Sequence, residues 1–232
     1  MEEKQSIKQQ LTNMLAERSE EEIIETAQKG ATLMSYYKCA MLEIETKFKV
    51  LNEQFSLGRE QNPIESIKVR LKSMQSIREK LSRRGLPFTV ESIEKNLNDV
   101  AGVRVICGFH DDIYLLAECL LRQDDIKLIE MKDYIKNPKE NGYRSMHIIV
   151  EIPIFLYNEK RFMRVEIQLR TIAMETWANL EHRLRYKKAL NEKQLEKTAD
   201  LLNECAQLSE TLDHKMQLVR DIIEAEDDSD VM

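Results

Sequence analysis

Between Arg161 and Arg170 the side chains alternate without a break: Met163, Val165, Ile167 and Leu169 against Arg164, Glu166, Gln168 and Arg170. A period of two marks a strand with one buried and one wetted face. Any sheet this chain builds must therefore keep one polar face. Two further stretches carry the same pattern. Ile67, Val69 and Leu71 alternate with Lys68, Arg70 and Lys72. Val103, Val105 and Cys107 alternate with Arg104 and Ile106, behind Asp99 and a helix-breaking Gly102. Apolar runs at Ile126–Met131 and His147–Ile152 predict two more strands. The fold class is α+β, with a mixed sheet of about five strands, because hairpin-like and crossover connections both occur.

Helices flank these strands. Residues 1–57 read as helical, and from Met34 the positions Tyr37, Met41, Ile44, Phe48, Leu51 and Phe55 recur every three or four residues, an apolar stripe over the core. Ser76 is the expected start of a short helix ended by Gly85. Residues 92–99 form another, Asp111 or Asp112 caps a third, and a fourth runs from Thr171 to about Lys188. A last helix fills 191–225, with Leu201, Cys205, Leu208 and Leu212 on one face and a frayed acidic tail beyond. The chain divides into N-terminal helices (1–62), a central unit that holds the strands (63–188) and a C-terminal helix with its tail (189–232).

At 232 residues the chain is one large domain or slightly more, with net charge −6. No apolar run approaches 18 residues, so no membrane partner is expected. The opening MEEKQSIKQQ lacks the apolar core of a secretory leader. Four scattered cysteines without a CxxC pair predict a reduced, cytoplasmic location and no zinc site. The acidic balance does not support an RNA partner, yet it allows a basic pocket.

One such pocket is visible. Residues 66–85 hold Lys68, Arg70, Lys72, Arg78, Lys80, Arg83 and Arg84 against Glu79 alone. Like charges are gathered at a cost, and the usual reason is a polyanion. Asp99 and Glu166 add two carboxylates, the hard donors that Mg²⁺ takes together with substrate phosphates. Tyr143, in Asn141-Gly-Tyr143, offers a ring on a tight turn that could stack on a base. Each feature has a plainer account: Glu166 as a salt-bridge partner, Tyr143 as a surface ring, His147 as a hydrogen-bonded core residue. His110-Asp111 is better read as a helix cap than as a phosphohydrolase site. There is no GxxxxGK[ST], so this is not a P-loop enzyme.

Five segments in order resemble the synthetase domain of the RelA/SpoT family, most closely its small alarmone synthetases of the RelQ or RelP type. They are Arg70-Leu-Lys72 with Ser76, Lys80 and Arg83; Asp99 to Arg104; Asn137 to His147; Val165 to Thr171; and Trp177 with Glu181-His182 and Tyr186-Lys187. The resemblance implies a nucleotidyltransferase-like sheet and transfer of pyrophosphate from ATP to the 3′-hydroxyl of GDP or GTP. It implies that Arg70 and Arg104 clamp adenine and that Lys72, Ser76, Lys80 and Arg83 hold the ATP phosphates. Asp99 and Glu166 would bind Mg²⁺, with Glu166 also the base. Tyr143 would stack on guanine; Lys139, Asn141, His147 and Gln168 would hold the acceptor, with Lys132 near its phosphates. It further implies a homo-oligomer, a tetramer in the RelQ-like branch, and synthesis without hydrolysis. Two other readings remain beside it. One is a toxic relative that modifies tRNA 3′ ends or adenosine nucleotides, and the other is a non-enzymatic nucleotide or RNA sensor.

Overall fold

A computed structural model describes residues 20–57, 62–185 and 192–229. Its elements are α1 (Glu20–Ser56), β1 (Ile64–Leu71), α2 (Met74–Arg83), α3 (Val90–Asn96), β2 (Ala101–Cys107), α4 (His110–Leu121), β3 (Lys127–Asp133), β4 (Met146–Phe155), β5 (Lys160–Thr171), α5 (Ile172–Arg185) and α6 (Glu192–Ser229). The helical reading of residues 1–19 and the Tyr186-Lys187 piece lie outside the described residues.

The five strands form one sheet in the order β1-β2-β5-β4-β3. Only β2 and β5 run parallel; the other neighbours are antiparallel, so the sheet is mixed. Its apolar face carries Val103, Val105, Ile148, Val150, Val165 and Ile167, each 1% exposed or less. α1 packs across β1, β2, β4 and β5 on that face, with α4 beside it. Leu33, Tyr37, Ile44 and Phe48 of α1 join the same core. Their spacing is the stripe read from sequence, begun one residue earlier at Leu33. Leucine- and isoleucine-sized side chains buried at this depth each contribute roughly 1.5–3 kcal/mol.

Several local expectations are corrected. The N-cap of α2 is Ser73, whose Oγ accepts from the Ser76 N–H at 3.2 Å, so Ser76 sits inside the first turn. Gly85 follows that helix at φ +67°, the left-handed position expected after a helix end. In α4 the N-cap is Phe109, and Asp112 reaches back from the third helical position to accept its N–H at 3.0 Å. Val69 is 45% exposed because β1 is an edge strand whose apolar face is only partly covered. Arg170, read as an outward polar residue, is 4% exposed. α6 continues to Ser229, so most of the acidic tail is helical rather than frayed. Its face with Leu201, Leu208 and Leu212 is more than half exposed, while Ala206 and Gln217 are buried.

Candidate active site

Register across the sheet sets out the polar face in rows. One row reads Lys68, Arg104, Gln168, His147 and Lys132, one residue from each of the five strands; the next reads Arg70, Gly102 and Glu166. Residues directly opposite share a face, and β5 brings Glu166 beside β2 because the two strands run parallel. Lys68, Arg70, Lys72, Asp99, Gly102, Arg104, Glu166 and Gln168 line a single cleft of about 350 Å³.

Arg70 and Arg104 lie diagonally across Gly102. Gly102 has no side chain, so the part of the cleft between these two guanidinium groups is left open to a flat ring. Arginine stacks well on such a face.

Asp99 sits just ahead of β2, where Lys72 Nζ and Lys80 Nζ both donate to its Oδ2, at 2.5 and 2.6 Å. Its Oδ1 is buried and has no hydrogen-bond partner among the described residues. Burial pushes this carboxyl up, but the hydrogen bonds and charges of Lys72 and Lys80 prevail and hold it below the ordinary value. Glu166 behaves likewise: burial raises it and the Asp99 charge adds to that, but the His147 imidazole, 3.6 Å from its Oε1, and Gln168, donating to Oε2 at 3.1 Å, bring it below the usual range. Both carboxylates are therefore ionised at neutral pH. An unpartnered carboxylate oxygen, with a second carboxylate close enough to feel its charge, is a donor set that suits a hard divalent cation completed by phosphate and water.

On the β4 side, Arg170 Nη2 and Ser145 Oγ donate to Tyr143 Oη at 2.5 and 3.0 Å. Tyr143 Oη also lies 2.8 Å from His147 Nε2, and His147 Nδ1 lies 3.6 Å from Glu166 Oε1, so the imidazole links the tyrosine to the carboxylate. Lys139 Nζ stands 4.5 Å from the Tyr134 ring centroid and 4.8 Å from that of Tyr143, a cation over two rings. Asn141 accepts the Tyr143 N–H and donates to Glu181 at 3.5 Å. Gly142 has φ +82°, and a Cβ there would lie 2.5 Å from Ala206 Cβ. Arg144 donates to Ala206 O at 3.2 Å and pairs with Glu210. The loop that carries Tyr143 is thus meshed against α6.

Of the sequence-predicted residues, Arg70, Lys72, Arg104, Asp99, Glu166 and Gln168 meet in the cleft, and Lys80 joins them through Asp99. Tyr143, Lys139, Asn141 and His147 form a second group beyond Glu166. Ser76 lies in the first turn of α2, hydrogen-bonded to Ser73. Arg83, exposed on the last turn, donates to Glu79 O at 3.4 Å. Lys132 stays outside the cleft, on the far edge strand, paired with Glu130 at 2.9 Å. The resemblance carries Arg170 inside a motif and names Glu175, without giving either a defined role. They are bonded to each other at 2.8 Å, beneath both groups.

Comparison with known proteins gives a consistent picture. The description "Region found in RelA / SpoT proteins" matches residues 69–191. The chain is 43% identical to the GTP pyrophosphokinase YwaC of Bacillus subtilis over 78% of its length and 85% of the relative's. It is 35% identical to the GTP pyrophosphokinase YjbM of the same organism, over 79% and 85%. Among solved structures, small alarmone synthetase 2 of B. subtilis superposes with TM-score 0.72 at 38% identity, covering 81% of this chain and 96% of that one. Small alarmone synthetase 1 bound to its product pppGpp superposes with TM-score 0.73 at 35% identity, over 81% and 94%.

Proposed function

The chain belongs to the RelA/SpoT family, and from that premise we propose that it is a GTP pyrophosphokinase that moves the β,γ-pyrophosphate of ATP to the ribose 3′-hydroxyl of GDP or GTP. The products are AMP and ppGpp or pppGpp. The observation that carries the reading is the meeting of Asp99 and Glu166 with Arg70, Lys72 and Arg104 in one cleft.

In this reading Arg70 and Arg104 hold the adenine across Gly102, and Lys72, Ser76, Lys80 and Arg83 take the phosphates. Tyr143 supports the guanine, with Lys139, Asn141, His147 and Gln168 around the acceptor and Lys132 toward its phosphates. Asp99 and Glu166 are the residues that would hold Mg²⁺, which when bound neutralises phosphate charge. Glu166, ionised and backed by His147, accepts the 3′-hydroxyl proton. The freed oxygen bonds to the β-phosphorus, whose bond to the α-bridging oxygen breaks and releases AMP. Most of the barrier is lowered by positioning and fixed positive charge.

The family's homo-oligomer, a tetramer in our reading, is supported by the uncovered faces of α5 and α6. Leu180, Leu208 and Leu212 are each 54% exposed or more along a groove of about 1020 Å³, and Leu184 and Leu201 are exposed on the same two helices. The free cysteines and an acidic surface fit the cytoplasm; no described helix is long and apolar enough to cross a membrane.

Incubation with ATP, Mg²⁺ and GDP or GTP is expected to yield AMP and a guanosine tetra- or pentaphosphate. Glu166→Gln is expected to lower kcat by about 10²–10⁴-fold with the fold retained. Undiminished turnover in that variant would remove Glu166 from the role of base.

A further inference from the structure

Glu175 stands in the first turn of α5, its side chain 8% exposed. Its Oε1 accepts from Lys68 Nζ and from Arg104 Nη1, each at 3.1 Å; its Oε2 accepts from Arg170 Nη1 at 2.8 Å. One carboxylate therefore ties together cations from β1, β2 and β5. The connection continues beyond Arg170, whose Nη2 donates to Tyr143 Oη at 2.5 Å and to Gln168 Oε1 at 3.0 Å. Arg104 Nε and Arg170 Nε are buried without partners among the described residues. Each guanidinium is consequently aimed by bonds at its outer nitrogens alone, and Glu175 supplies a bond to each.

We propose that Glu175 is a positioning residue for both substrates: through Lys68 and Arg104 it sets the ATP cleft, and through Arg170 it sets Tyr143 and Gln168 on the guanosine side. This deepens the reaction proposed above and rests on it. A buried carboxylate shared by three cations could instead serve stability alone. The two roles separate in kinetics. A purely structural residue changes unfolding, whereas one that presets binding groups changes KM before kcat.

The test is Glu175→Gln, an isosteric change that presents an amide donor to cations that need an acceptor. The KM values for ATP and for the guanosine nucleotide are both expected to rise by about tenfold, with kcat at saturation altered less than about threefold. Titration with a non-hydrolysable ATP analogue should show the same weakening without turnover. Glu175→Asp, which keeps the charge, should recover part of it. Unchanged KM values, a lower melting temperature with unchanged KM values, or a change confined to ATP would each overturn the proposal. If Glu175→Gln does not fold, Arg170→Lys keeps the charge and loses the fork. It should raise both KM values, and an unaltered KM for ATP would defeat the link. Failure of the wild-type protein to form AMP would defeat the reaction instead, and the analogue titration would still decide the positioning.

Discussion

Asp99 is pinned by two ammonium groups through one of its oxygens, and the other oxygen is left free. A protein that wanted only an ion pair would use both. In Asp99→Asn the amide cannot balance Lys72 and Lys80, which then repel one another across a partly buried site. Chemical denaturation without nucleotide at pH 7 is expected to show a loss of about 1–3 kcal/mol. Turnover should fall by about a hundredfold or more. Activity that survives Asp99→Asn would remove this carboxylate from the chemistry.

In the proposed reaction helix α2 and the Tyr143 loop carry binding groups for the two substrates, and each depends on a small local device. α2 carries Ser76, Lys80 and Arg83 and is started by Ser73. Ser73→Ala is expected to cost about 0.5–2 kcal/mol in denaturant titrations and to raise the KM for ATP more than that for the guanosine nucleotide. The loop depends on Gly142, at φ +82° against Ala206. Gly142→Ala meets both a left-handed backbone, costing about 1–2 kcal/mol, and a contact no Cβ tolerates. Here the KM for the guanosine nucleotide should rise while that for ATP changes little.

These elements also divide what was legible in the sequence from what was not. Strands β2 and β5 were readable because their alternation is strict and both lie inside the sheet, where covering layers enforce it. β1 has the same alternation but lies at the edge, and alternation carries no information on strand order, so Val69 was misjudged. The burial of Ala206 and Gln217 was illegible because these contact positions of α6 are small or polar, while Leu201, Leu208 and Leu212 face outward. The contacts of Glu175 were illegible as well, although the resemblance names the residue. Its partners lie 5, 71 and 107 positions away, and only the β2–β5 crossover brings them together. Arg70, Arg104 and Glu166, by contrast, declared themselves as charge on strand faces, and the helix and loop residues were found through the resemblance.

At the scale of the whole molecule, three buried or half-buried carboxylates, Asp99, Glu166 and Glu175, lie below their ordinary values. For Glu175 burial pushes upward, and Lys68, Arg104 and Arg170 outweigh it. A depressed folded value means that the unfolded chain binds protons more readily. Stability from these groups is therefore complete above the unfolded values of 3.8 and 4.5 and is lost as pH falls through the lower folded ones. Denaturant midpoints are expected to hold steady from pH 7 to about pH 5 and to drop steeply below about pH 4. Glu175→Gln should flatten part of that drop, and a midpoint that rises on acidification would contradict the ion-pair assignments.

The mesh between Gly142 and Ala206 joins positions 64 apart in the chain. A contact of that separation carries a larger loop-closure cost than a local one. The Tyr143 loop is therefore seated by a helix that arrives from a distant part of the chain, and its order depends on that docking as much as on the sheet it leaves.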